Sequence, residues 1–142
     1  MCGISGIFDW NSLKNAEHIA SIMKDAQDHR GPDFNSTFKD ENILISHNRL
    51  SIIDLDHHSN QPMHSNLGDV VISYNGELYN YLNLKSELEA TYSFKTQSDT
   101  EVIIASYLKW GIRMLDRFEG MFAFALWDKA KKQLFLVRDR MG

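Results

Sequence analysis

The sequence predicts a single domain mixing helices with strands, α/β or α+β, and three observations carry that expectation. Gly120 to Asp128, Gly-Met-Phe-Ala-Phe-Ala-Leu-Trp-Asp, is apolar on both faces, as a central strand with layers above and below it must be. A three-to-four-residue apolar rhythm runs through Ala16, Ile19, Ala20, Met23 and Ala26, and helical spacing recurs at Tyr81, Leu84, Lys85 and Leu88, with short β-branched stretches between. The chain of 142 residues suits one domain, long enough to bury close to about 70% of its unfolded surface.

Taken in order, Ile4 to Trp10 reads as a buried strand, because Ile4, Ile7, Phe8 and Trp10 are separated by small residues. A helix follows from Asn15, with Ala16, Ile19, Ala20, Met23 and Ala26 as its inner face and His18, Lys24 and Asp25 in solvent. It stops near His29, where Arg30-Gly31-Pro32-Asp33 breaks helical backbone. Phe34 to Lys39 and Asn42 to Ile53 are two strands joined at Asp40-Glu41, and Asp56 to Gly68 is a polar loop. Asp69 to Tyr74 is a short strand. The Asn75-Gly76 dipeptide after it is a strong hairpin signal, yet the helical spacing from Tyr81 makes it a strand-to-helix corner instead. Ser98 and Glu101 fit a capping box opening a helix through Val102, Ile103, Tyr107 and Leu108. Gly111 breaks that helix, and a short one through Met114, Leu115 and Phe118 follows. After Gly120 to Asp128, Lys129 to Lys132 form a charged turn and Gln133 to Arg138 a partner strand.

Composition excludes several function classes. Lys and Arg number 15 against 19 Asp and Glu, giving net charge −4, without the basic cluster that nucleic-acid binding requires. Met121 to Trp127 is the longest apolar run, far too short to span a bilayer. One cysteine makes no internal disulfide, so a soluble cytoplasmic protein with a free thiol is expected. His57, His58 and His64 cluster in one loop without the spacing of metal ligands, and no metal site is expected.

Four features carry chemistry. Removal of Met1 would leave Cys2 with a thiol and a free α-amine, a nucleophile beside its own base, the two titrating near pH 8.5 and about pH 8. The bland alternative is a small packed cysteine. Arg49 sits in an apolar strand, where its planar fork suits a carboxylate, in a ligand or in a neighbouring Asp or Glu. Asn75-Gly76 offers a side-chain amide and backbone N–H groups. Asp99 opens a helix, a place the helix dipole alone accounts for.

In this order these features, with MCGISGIF, HRGPD, NRLSIIDL, QPM, YNGELYNY, SDTEVI, FEGMFAFALWD and RDRMG, resemble the class II glutamine amidotransferase domain, an N-terminal-nucleophile hydrolase, and most closely that of glutamine-dependent asparagine synthetases. The resemblance covers essentially the whole chain. It implies a four-layer α-β-β-α sandwich of two mostly antiparallel sheets flanked by helices. It also implies that Cys2 attacks the side-chain amide of L-glutamine, with Asn75 and Gly76 as the oxyanion hole. Arg49 then holds the substrate α-carboxylate, Glu77 and Asp99 hold its α-ammonium, and the backbone of Leu50, Ser51, Ile52 and Ile53 lines the pocket.

Chains of the family continue past RDRMG into more of this domain and then a synthetase domain that uses ATP and Mg²⁺. The expectation is therefore a glutaminase domain over 1–142 lacking its C-terminal part, its partner synthetase domain and any cofactor of its own. Leu134 to Val137 would then form an exposed edge through which copies associate. Two alternatives stand beside asparagine synthesis: a domain serving another acceptor, such as a cell-surface sugar, and a non-catalytic fragment that binds glutamine or a partner chain.

Overall fold

The computed structural model describes residues 2–11, 13–50 and 59–142. They form two antiparallel sheets and three α-helices. Strands β1 (Gly3–Phe8), β2 (Phe34–Lys39) and β3 (Ile43–Arg49) make a sheet in the order β1-β3-β2. Strands β4 (Met63–His64), β5 (Val70–Leu78), β6 (Gly120–Asp128) and β7 (Gln133–Arg138) make the other, in the order β4-β5-β6-β7. Helices α1 (Ala16–Ala26), α2 (Tyr81–Leu88) and α3 (Asp99–Trp110) complete the regular structure, with 3-10 turns at Asp28–Arg30 and Gly111–Arg117.

Side-chain alternation along the strands sets the layers, because successive residues point to opposite faces. Leu44 packs with Ala16 and Ala20 of α1 and with Ile7. Its neighbours Ile43 and Ile45 turn the other way, onto Ala125 and Trp127 of β6, with Phe8, Phe38 and Leu134 around them. The far face of β5 and β6, carrying Val70, Ile72, Tyr74, Leu78, Phe122, Phe124 and Leu126, meets Leu84 and Leu88 of α2 and Val102, Ile103 and Tyr107 of α3. The layers thus run α1, first sheet, second sheet, α2 with α3: the α-β-β-α arrangement implied by the family resemblance. The strand read as two-sided, β6, lies in the middle of its sheet with both faces covered.

Several sequence expectations are corrected. β1 ends at Phe8, and Trp10 beyond it is 74% exposed. In α1, Ala16 and Ala20 are buried, but Ile19 and Ala26 face outward with Ile22, so two small alanines rather than a wide apolar stripe make the contact to β3. β3 ends at Arg49, short of Ile53. His64 lies in strand β4 rather than in a loop, its ring edge-on to Phe38; His57 and His58 fall outside the described residues. The capping box is half formed. Ser98 Oγ accepts the Thr100 N–H at 3.1 Å, but Glu101 reaches past Ser98 to the N–H groups of Lys95 and Thr96 and the Thr96 hydroxyl, at 3.0, 2.7 and 2.7 Å.

The largest correction is at Asn75-Gly76, which is no corner. Both lie inside β5, opposite Ala123 and Phe122 of β6, and the chain turns only after Leu78. Gly76 is required here by approach rather than by turning. A Cβ on it would stand 2.3 Å from the Met121 carbonyl oxygen and 2.6 Å from Phe122 Cα. The real corner is held by Asn80, whose side chain donates to the Arg117 carbonyl at 2.9 Å and accepts the Glu119 N–H at 3.2 Å.

Candidate functional site

At the ends of β1, β3 and β5 the two sheets part around a cavity of about 810 Å³, and its walls include Cys2, Arg49, Leu50, Asn75, Gly76, Glu77 and Asp99. Residues scattered over nearly a hundred positions of sequence therefore converge. Ser51, Ile52 and Ile53, expected to line the same pocket, lie outside the described residues.

Cys2 precedes β1 and is half-buried. The β1–β3 register, Gly3 opposite Asn48, sets Cys2 beside the end of β3. There the Leu50 N–H reaches its Sγ at 3.4 Å, and Sγ lies 3.7 Å from the Leu50 carbonyl oxygen. The Cys2 carbonyl is fixed as well, accepting from Arg30 Nε at 3.2 Å. This explains the Arg30-Gly31-Pro32-Asp33 segment. Gly31 lies against β3 so closely that a Cβ would meet the Asn48 carbonyl oxygen at 2.2 Å, and the Asp33 N–H bonds the Arg49 carbonyl at 3.0 Å.

Arg49 is 5% exposed on the β3 face turned toward the second sheet, and its Nη1 donates to Asn60 Oδ1. Two places before it on that face, His47 is fully buried and donates through Nε2 to the Tyr74 carbonyl at 3.1 Å. Burial, aided by the nearby Arg49 charge and opposed by the bond to Tyr74, pushes the imidazole down to about 4.

The β5–β6 register decides where the Gly76 N–H points. Tyr79 donates to Glu119 and Lys129 to Asp69, so the odd-numbered residues of β5 exchange ladder bonds with β6. The even-numbered ones aim their N–H groups away from β6. Tyr74 N–H meets Gln61 Oε1 at 2.6 Å and Leu78 N–H meets Asp99 Oδ2 at 3.1 Å, with Gly76 between them. On that side β4 pairs only with Val71 and Ile72, so among the described residues no strand covers Gly76. Glu77 is exposed at the cavity wall, and Asn75 is half-buried.

Asp99 is more than a helix-dipole partner. It is 5% exposed, and its Oδ2 accepts from the Tyr74 hydroxyl at 2.8 Å as well as from Leu78. Burial raises its pKa above the ordinary aspartate value, opposed by these bonds and by N–H groups of the first helical turn. The cavity is dipolar in consequence, with a guanidinium on β3 facing carboxylates on β5 and α3. Such a pair of ends fits a zwitterion. Sequence reasoning gave no role to Tyr74, Asn60 or Gln61, which position the charged groups, although Tyr74 opens the YNGELYNY motif and Gln61 the QPM motif. Among the described residues no group of three or more His, Cys, Asp or Glu is placed to hold a metal, and no helix is long and apolar enough to cross a membrane.

Comparison with known families settles the class. The model of a glutamine amidotransferase domain matches residues 1–142. The chain belongs to that family. Over its full length it is 43% identical to asparagine synthetase [glutamine-hydrolyzing] 2 of Bacillus subtilis and 38% identical to asparagine synthetase B [glutamine-hydrolyzing] of Escherichia coli, covering 19% and 26% of those proteins. It is also 36% identical to amidase chry2 of Gibberella zeae, of which it covers 23%. The amidotransferase chain thus spans about a fifth to a quarter of these relatives.

Proposed function

We propose that this domain hydrolyses L-glutamine to glutamate and ammonia through a covalent intermediate on Cys2. The observation that carries this is the convergence of Cys2, Arg49, Asn75, Gly76, Glu77 and Asp99 on one cavity in a chain of the amidotransferase family. Once Met1 is removed, the Cys2 α-amine takes the thiol proton and sulfur attacks the glutamine Cδ. The carbonyl oxygen of the tetrahedral intermediate is stabilised by the Asn75 side-chain amide and the Gly76 N–H, each donor contributing about 3 kcal/mol. The amine returns its proton to the departing nitrogen, the C–N bond breaks and ammonia leaves. Water then attacks the γ-glutamyl thioester, giving glutamate and the free thiol. Arg49 holds the α-carboxylate, Glu77 and Asp99 the α-ammonium, so the amide is delivered to sulfur in one orientation.

In the whole protein the ammonia would be passed to aspartate, in a synthetase domain outside this chain that supplies the ATP and Mg²⁺ chemistry. The names of the Bacillus subtilis and Escherichia coli relatives support that acceptor, whereas the Gibberella zeae relative is named an amidase. Ammonia release from L-glutamine by Met1-processed protein, checked by intact mass, tests the proposal. Cys2→Ala and protein retaining Met1 should both be inactive with unchanged circular dichroism. Release by Cys2→Ala at the wild-type rate would refute it.

A further inference from the structure

Tyr74 is bound at three points. Its N–H donates to Gln61 Oε1 at 2.6 Å, its carbonyl accepts from His47 Nε2 at 3.1 Å, and its hydroxyl donates to Asp99 Oδ2 at 2.8 Å. Gln61 is itself buried and extends toward α3, its Nε2 lying 3.4 Å from Thr100 Oγ1, next to Asp99. Ties from β3 and from the segment before β4 therefore fix the residue whose hydroxyl reaches the first turn of α3. Ring burial alone would be served by phenylalanine, since Tyr74 is 3% exposed and packed in the helix-facing core. The hydroxyl adds one thing: a donor to a carboxylate at the cavity wall.

We propose that Tyr74 is a positioning residue for the α-ammonium end of the substrate, orienting the Asp99 carboxylate. This rests on the reading of the cavity as a glutamine site, but not on Cys2 being the nucleophile. With Oδ2 committed to Tyr74 and Leu78, the carboxylate is held at two points where it lines the cavity. Loss of the phenol leaves a buried carboxylate short of a donor, free to turn and easier to protonate. Recognition of the amino group should suffer, and recognition of the rest of the substrate should not.

The test is calorimetric, in full chain carrying Cys2→Ala so that ligand binds without turnover. The ligands are L-glutamine and 4-carbamoylbutanoate, which is glutamine without its amino group. Tyr74→Phe should weaken L-glutamine roughly tenfold at neutral pH, and more at mildly acidic pH, while leaving 4-carbamoylbutanoate unchanged. In an Asp99→Asn background the same substitution should add no further loss. Equal weakening of both ligands, unchanged L-glutamine affinity, full additivity with Asp99→Asn, or no L-glutamine binding by the Cys2→Ala protein would each overturn the proposal. Failure of the catalytic reading shows separately, as ammonia release by the Cys2→Ala protein.

Discussion

Between pH 6.5 and about 4, His47 should take a measurable part of the domain's stability away. The side chain is fully buried, donates through Nε2 to the Tyr74 carbonyl and has no partner for Nδ1 among the described residues. Its pKa falls from 6.5 in the unfolded chain to about 4 in the fold. As pH drops through 6.5 the unfolded state takes up a proton that the folded state refuses until about 4. The contribution is thus complete above 6.5 and lost progressively below it. Over that window the loss is about 3 kcal/mol. Asp99 works in the opposite direction, since its raised pKa lets the folded state accept a proton first. Comparison with His47→Gln removes that and every other shared titration, because a glutamine amide can still donate to Tyr74 but does not titrate. Urea unfolding at several pH values from 7 to 4 should show wild type losing about 3 kcal/mol relative to the variant. Parallel stability profiles for the two proteins would refute the reasoning.

Other perturbations have expected outcomes of their own. Arg49→Lys should raise the glutamine KM by one to two orders of magnitude, roughly what losing a bidentate charged contact costs; an unchanged KM in a folded variant would make Arg49 purely structural. Gly76→Ala should destabilise by about 3 kcal/mol or more, because the new methyl meets β6 backbone that cannot yield; thermal denaturation decides it. Glu101→Ala strands the Lys95 and Thr96 N–H groups and the Thr96 hydroxyl. It should lower Tm by about 10 °C, and a Tm within error of wild type would contradict that count. The acid limb of glutamine kcat/KM should lie above the ordinary aspartate range, since burial raises Asp99 and only its ionised form holds the ammonium; a pH–rate profile checks it.

Local rules recovered the elements whose determinants are local. β6 was legible because nine residues apolar on both faces suit only a covered strand, and Gly111 ends α3 where its backbone turns to positive φ. What was misread depends on distant partners. Asn75-Gly76 has the composition of a tight turn, and only the approach of Met121 and Phe122 shows that its glycine serves strand packing. Glu101 has capping-box spacing, yet the N–H groups of Lys95 and Thr96 outcompete that of Ser98 for its carboxylate. Ile19 fits the helical rhythm but lies on the outer side of α1, because Leu44 meets Ala16 and Ala20. At the site, the charged groups were readable from motif order. Their supports were not, since Gln61 and Asn60 act across 13 and 11 residues of sequence through hydrogen bonds that no spacing encodes.

The Arg30 bond to the Cys2 carbonyl has a practical consequence for anyone handling this protein. The second residue is anchored by its carbonyl and its sulfur. Molecules that keep their initiator methionine, or carry an affinity tag ahead of it, should therefore fold, melt and scatter light like processed ones while lacking the free amine the proposed chemistry needs. Specific activity of a preparation would then count the trimmed fraction, not the folded fraction, and a fusion at the front end would silence the domain without any sign of damage.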